Sequence, residues 1–573
     1  DRLDLWVLGQ VSRQVVAGVE VERTEFTAQA LPWRLYDHGL LVQTLGYNAD
    51  GTVASVTDGR NNMTTLANWH RGVPQLVTFP DATTLQATVD NRGWVTSVTN
   101  EVGSTNTYLY DSMGRVSRVS YPTGDVVAWM PTDFSFTRSG SAAFGLPAGH
   151  WQHSTTRGNY RKTVYYDALW RPVLEREWDQ GNVTGTQRYR GRAYDHANRV
   201  TFEGYPRSTA TSLSSFTAGV TTTYDALGRV TRVEQDSELG ELVTTTEYLT
   251  GLKTRVTNPR GFSTLTAYRT FDDPSSAKPY NIQSGGVTTW MWLDLFDKTT
   301  AMFRSGTYEG QTVTTSRYYA YDAQQRLCKR VELEGGTTYF DYDAAGNVAW
   351  TADGQPQAEH SWAIASVCDR EAVPASERTV RSYDSRNRLT LVDYPDATPD
   401  VATFYFPDGL VQRISSGDVN LHYNYNKRRM LAYEELRWDQ GQGSWPISHE
   451  YTPGGDYSRF VYWPTAHTID YAPNALGQAT RAGSYATNAK YHPNGALAEF
   501  TYGNGIVHTM TQNLRQLPER SLDMFGASAV IDDSYDYDAN GNVVAISDGL
   551  PGQPGNRDMS YDALDRLIGV VAG

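Results

Sequence analysis

Tyr224-Asp225-Ala226-Leu227-Gly228-Arg229-Val230 reads as a hairpin turn. Asp225 stands at position i of a type I turn, where its carboxylate can accept backbone N–H groups, and Gly228 stands at i+3, where a positive φ is often needed. Together they specify a type I turn with a G1 bulge, the closure of a short β-hairpin. Period-two alternation flanks the turn, through Val220-Thr221-Thr222-Thr223-Tyr224 and then Arg229-Val230-Thr231-Arg232-Val233. That is the period of half-buried strands.

The unit recurs along the chain. Gly51, Gly72, Gly93 and Gly114 follow one another at intervals of 21 residues. Tyr110-Asp111…Gly114-Arg115, Tyr224-Asp225…Gly228-Arg229, Tyr342-Asp343…Gly346, Tyr383-Asp384…Asn387, Tyr537-Asp538…Gly541 and Tyr561-Asp562 are copies of it. Where Gly is replaced, Asn198, Asn387 and Asp565 are the residues that best tolerate a left-handed backbone, whereas Gln325 and Trp170 do not fit and predict altered turns. A second turn signal, Pro followed by Asp or Gly, falls about eleven residues after the Tyr, as in Phe79-Pro80-Asp81, Tyr121-Pro122-Thr123-Gly124, Tyr205-Pro206 and Tyr394-Pro395-Asp396. Two turns per repeat leave two strands of about seven residues. The fold class is therefore all-β, built from repeated antiparallel hairpins. A lone hairpin is marginal in water, so the repeats must pair side by side.

Composition agrees. Tyr (37), Trp (15) and Gly (50) are abundant and charged residues are 20%, which suits pleated strands and many turns. The formal charge of -14 disfavours nucleic acid and anionic membrane surfaces as partners. No apolar run reaches the roughly 20 residues of a membrane span. The chain starts at Asp1 without an apolar signal segment and is read as part of a longer protein. Cys328 and Cys368 are too few for a disulfide framework; two unpaired, mostly buried thiols is the favoured reading, with a single bridge as the alternative.

The repeated Tyr-Asp-x-x-Gly-Arg core with the following Tyr-Pro resembles the YD repeat of bacterial Rhs proteins, of the C components of Tc toxins and of the teneurins. The resemblance covers roughly residues 36–567. It implies a lead-in segment over 1–35 and a YD-repeat wall over 36–573, wound into a hollow shell or barrel. It further implies a toxin segment C-terminal to the repeats as partner, a secreted or cell-surface bacterial location, a role in bacterial competition, and no cofactor. The family's autoprotease motif lies beyond the repeats, so no residue here inherits that role. Intervals near 125–160, 206–220, 271–315, 350–380 and 432–450 break the period and predict extended loops.

Chemical motifs are sparse. Asp536-Tyr537-Asp538-Ala539-Asn540-Gly541 opens like a calcium loop, but its twelfth position is Ser547 rather than the bidentate Glu such a site needs. His150 and His153 form an HxxH in a predicted loop with no further zinc ligands. No nucleophile elbow or phosphate loop is present. The Asp residues recur in every turn, so they mark no single active site. Trp290 and Trp292, with Trp438 and Trp445, fall outside the regular units and are the best platforms for stacking on sugar rings, although cross-strand packing accounts for most such aromatics. The leading reading is a non-enzymatic container. A surface module holding cell-surface glycans is second, a polysaccharide-degrading enzyme third; a secretion apparatus is a further candidate partner.

Overall fold

The computed structural model describes residues 7–270, 275–332, 334–356, 366–439, 441, 443–552 and 555–572. The structure is nearly all antiparallel β, 57% strand and 2% helix. The chain divides into two units, each assembled from two separate stretches: 1–108 with 288–446, and 109–287 with 447–573.

The quoted hairpin forms as read. Gly219–Tyr224 pairs antiparallel with Val230–Ser237, and the register shifts at Thr223/Tyr224. The Gly228 amide donates to Asp225 O at 3.0 Å, the Asp225 amide to Arg229 O at 2.9 Å, and Gly228 has φ +81°. A shift just before the Tyr recurs at Ser382/Tyr383, Asp536/Tyr537 and Ser560/Tyr561. A Cβ at Gly228 meets Arg199, at 3.5 Å, so it is the backbone conformation and not space that penalises a side chain there. Gly228→Val is expected to destabilise by about 1–2 kcal/mol, while Asn costs only a few tenths. Thermal melts of the two variants check this; equal losses would contradict the turn.

Two sequence expectations about turns change. Trp170 (φ 65°) and Gln325 (φ 58°) keep the same left-handed turn and hydrogen bonds as the glycines. The flanking ladder and the capping Asp hold the backbone there against the side chain's own preference. Among the Pro-containing signals, Phe79–Thr83 forms the same closed turn, with Ala82 at φ 63°. Tyr205 and Tyr394 instead lead into longer connections, their amides donating to Ala218 O and to the Asp400 carboxylate.

The intervals read as loops carry much regular structure. Thr132–Arg138 and Trp151–Arg157 pair with each other, and Thr299–Tyr308 pairs with Gln311–Tyr321 over ten and eleven residues. The first hairpin has ordinary seven-residue strands joined by a long connection, and the second has unusually long strands; either departure hides the 21-residue period. The connection within the first of these hairpins and the interval near 206–220 also supply core. Leu146 and Phe216 pack with Tyr165, Val173, Leu174 and Tyr189 into a buried cluster of the second unit. Gly191 and Gly204 make room for the Phe216 ring, which a Cβ at either position would overlap.

Cys328 and Cys368 are joined, with Cα atoms 5.7 Å apart, which corrects the expectation of free thiols. Their separation of 40 residues carried no pairing signal. The described part of the insertion brings Cys368 onto the strand Leu327–Glu332, where Asp369 meets Lys329.

Candidate functional site: repeat turns and arginine clamps

Each residue of the repeat motif has a separable task. The Asp carboxylate closes its own turn: Asp225 Oδ1 accepts the amides of Leu227 and Arg229, both at 2.9 Å. Asp111, Asp384, Asp538 and Asp562 do the same in their turns, and Asp343 accepts from Ala345 and Asn347. The second oxygen takes the Nε of the Arg four residues on, at 2.7 Å in Arg229–Asp225 and Arg115–Asp111.

The Tyr reaches backwards. Its hydroxyl donates to the carbonyl that opens the second strand of the preceding hairpin: Tyr224 to Val200 at 2.8 Å, Tyr342 to Leu327 at 2.8 Å, Tyr383 to Val348 at 2.9 Å, Tyr537 to Pro518 at 2.7 Å and Tyr561 to Val543 at 2.9 Å. The Arg reaches forwards. Arg171 and Arg199 donate Nη1 to the carbonyls of Asp195 and Asp225 in the next turn, and their guanidinium groups lie 5.1 and 4.7 Å from the centres of the Tyr194 and Tyr224 rings. Neighbouring hairpins are thus tied by charge-assisted and cation–π contacts as well as by the ladder.

In the turns of Asp343 and Asp538 an Asn stands in place of the Arg, at Asn347 and Asn542. A distant arginine takes its place. In the first unit Arg60 donates to Tyr383 O, Asp384 O and Asn387 Oδ1, each at 3.0 Å, with its Nε 3.5 Å from Asp343. In the second unit Arg260 donates to Tyr561 O at 3.0 Å, Asp562 O at 2.9 Å and Asp565 Oδ1 at 2.5 Å, with its Nε 3.1 Å from Asp538. The geometry is the same in both, with 301 to 324 residues between donor and backbone carbonyl. Asn387 and Asp565 therefore do more than tolerate a left-handed backbone: their side chains are clamp acceptors. These clamps are what sequence reading missed; the Asn at 347 and 542 in place of the usual Arg is the one local trace of them.

The carboxyls of Asp111, Asp195, Asp225 and Asp562 are held below their ordinary range. For Asp195, Asp225 and Asp562 the chief cause is the hydrogen bond from the Arg amide four residues on; for Asp111 it is the Arg115 side chain. A lowered folded pKa gives stability that is complete above the unfolded value, about 4, and is lost as pH falls through the folded one. The melting temperature is therefore expected to hold from pH 8 to 5 and to drop below about pH 4. Asp→Asn changes in several turns should flatten that drop in a calorimetric pH series; an unchanged acid limb would contradict the assignment. Burial pushes Tyr321 up to about 12.

Other candidate residues fall elsewhere. Trp290 and Trp292 stand on the strand Val287–Leu293, 44% and 51% exposed, and the Trp292 ring lies 5.1 Å from Phe303. Trp438 (46% exposed) ends Leu431–Trp438, and Trp445 is half-buried on Gly443–Tyr451. All four lie on hairpin strands, a correction to their expected place outside the regular units. His153 is likewise in a strand, stacked 6.1 Å from Phe134; burial first, then Arg115 and Lys162, lowers its pKa. His150 Nδ1 lies 2.8 Å from Pro147 O. No helix among the described residues is long and apolar enough to cross a membrane.

Repeated hairpins, capped turns and cross-repeat links define a repetitive β-wall protein. The RHS Repeat family matches residues 90–126. Teneurin-4 of Mus musculus and of Homo sapiens are each 29% identical over 102 residues, 14% of this chain and 4% of theirs. The crystal structure of TcdB2–TccC3 without its hypervariable C-terminal region has the same fold, with a TM-score of 0.62 at 12% identity, over 96% of this chain and 33% of that one. The TccC3-D651A holotoxin pore of Photorhabdus luminescens gives 0.54 at 11%. Residues 90–126 thus carry an RHS repeat, and the chain as a whole is similar in fold to these YD-repeat proteins. It spans about a third of the solved chains it matches.

Proposed function

We propose that the chain is wall of a toxin-associated Rhs shell, with a lead-in at 1–35 and the wall over 36–573, and that it acts by sequestering a C-terminal effector. On this reading it is catalytically silent. The observation that carries it is the commitment of the repeat carboxylates to turn closure, inter-repeat links and clamps, which leaves them acceptor-saturated rather than poised for proton transfer. The fold shared with TcdB2–TccC3 supports it. The place of action is the bacterial exterior or cell surface, in competition between bacteria, with a secretion apparatus as delivery partner. Purified protein screened against peptide, glycan and nucleic-acid substrates is expected to show no turnover; activity abolished by one Asp or His substitution would overturn silence.

The exposure of Trp290 and Trp292 favours a second role, adhesion to cell-surface glycans through ring stacking. Loss of glycan-array binding in Trp292→Ala would support it, and an unchanged array signal would remove it.

A further inference from the structure

We infer that the Cys328–Cys368 disulfide is a site of thiol–disulfide exchange, and that its reduction by a dithiol unlatches the segment Cys368–Arg378 from the wall. The inference does not depend on the shell reading, because it concerns only the joining of one insertion to one strand of the first unit.

The two sulfurs differ in access. Cys328 is 0% exposed within the strand Leu327–Glu332, whereas Cys368 is half-buried and follows Val367, which is 53% exposed. An incoming thiolate therefore meets Cys368 Sγ first and Cys328 is the leaving thiolate. A new S–S bond forms between the dithiol and Cys368 as the Cys328–Cys368 bond breaks, and the Cys328 thiolate takes a proton from water. The second thiol of the reductant then attacks the mixed disulfide and releases Cys368, which is protonated in turn. The dithiol ends as a disulfide, and the protein gains two electrons and two protons.

The bond sits beside a buried charge. Lys329, next to Cys328, is 1% exposed, and its Nζ lies 2.9 and 3.2 Å from the two carboxylate oxygens of Asp369, the residue after Cys368. The Lys329 ammonium lies 5.3 Å from the centre of the Tyr339 ring on the paired strand. The disulfide thus tethers the carboxylate that balances an ammonium inside the wall. Beyond it, Arg370 reaches Asp322 and Asp341 at 3.4 and 3.3 Å, and Val373 packs on Trp350 and Ala352. Without the tether the segment is held by polar contacts and one small apolar cluster. Each departure of Asp369 takes one carboxylate away from the buried Lys329 ammonium, so the strand loosens with the segment.

The test is made on the folded protein with dithiothreitol as the dithiol. Peptide mapping without reductant is expected to show the Cys328–Cys368 crosslink; free thiols there would overturn the site. After reduction, tryptic cleavage following Arg370 and hydrogen exchange across Leu327–Glu332 should both accelerate about tenfold or more, while Gly219–Tyr224 exchanges as before. Reduction that leaves both rates within twofold would overturn the latch. Cys368→Ser should reproduce the reduced behaviour without any reductant. Lys329→Met separates the two halves of the argument: cleavage after Arg370 should still accelerate on reduction, but the strand should stay protected. Equal loosening of the strand in Lys329→Met would overturn the part assigned to the ammonium. Should Lys329→Met fail to fold, Cys368→Ser alone decides between latch and no latch.

Discussion

Arg260→Ala is expected to lower stability by about 2–4 kcal/mol, far more than loss of an ordinary repeat arginine. The Arg260 side chain is 15% exposed, and it satisfies two backbone carbonyls and two carboxylates from turns about 300 residues away. Truncation leaves Asp538 and Asp565 close together without their shared cation, in a site where desolvation magnifies repulsion. Arg229 is the natural control: its side chain is 44% exposed and, among the described residues, pairs with its own Asp225 and, through its face, with Tyr248. Exposed pairs of that kind are worth about 0–1 kcal/mol. Arg260→Lys should recover little, because an ammonium cannot span the four acceptors as a planar guanidinium does. Denaturant melts of Arg260→Ala, Arg260→Lys and Arg229→Ala check the ranking; equal losses would show that the clamps carry no special weight.

The second large effect is expected from Phe216→Ala, at about 3–5 kcal/mol. Phe216 is 8% exposed and lies on Gly191 and Gly204, where its ring fills the place of two absent side chains. Removing it opens a cavity whose floor is backbone, and backbone in a sheet collapses poorly. A loss below 1 kcal/mol in calorimetry would mean that the insertion only decorates the wall. A loss as large as stated would make it part of the core.

These two sites show where sequence was informative. Tyr224–Val230 and its copies were legible because turn chemistry is local: an Asp, a Gly and alternating strands within ten residues determine the hairpin. Trp170 and Gln325 misled because intrinsic φ preference was weighed without the ladder on either side. Phe216 was invisible, since nothing in a stretch rich in Ser, Thr and Ala announces which ring will meet two distant glycines. The Cys328–Cys368 pair and the partners of Arg60 and Arg260 were unreadable for the same reason: each joins segments that are adjacent in space and set apart in sequence, an insertion and a strand in the first case and two turns in the others. Yet the clamps left a trace. Asn347 and Asn542 break the Asp–Arg pairing of their own repeats, and a carboxylate deprived of its local cation calls for another.

Enclosure is the central claim, and limited proteolysis of the full-length protein tests it most directly. The segment that the proposed function places after the repeats is cleaved with the wall intact and again after the wall has been opened by Arg60→Ala with Arg260→Ala. Enclosure predicts that the segment resists protease behind the intact wall and is digested at least tenfold faster once the clamps are removed. A segment digested equally fast in both would contradict it.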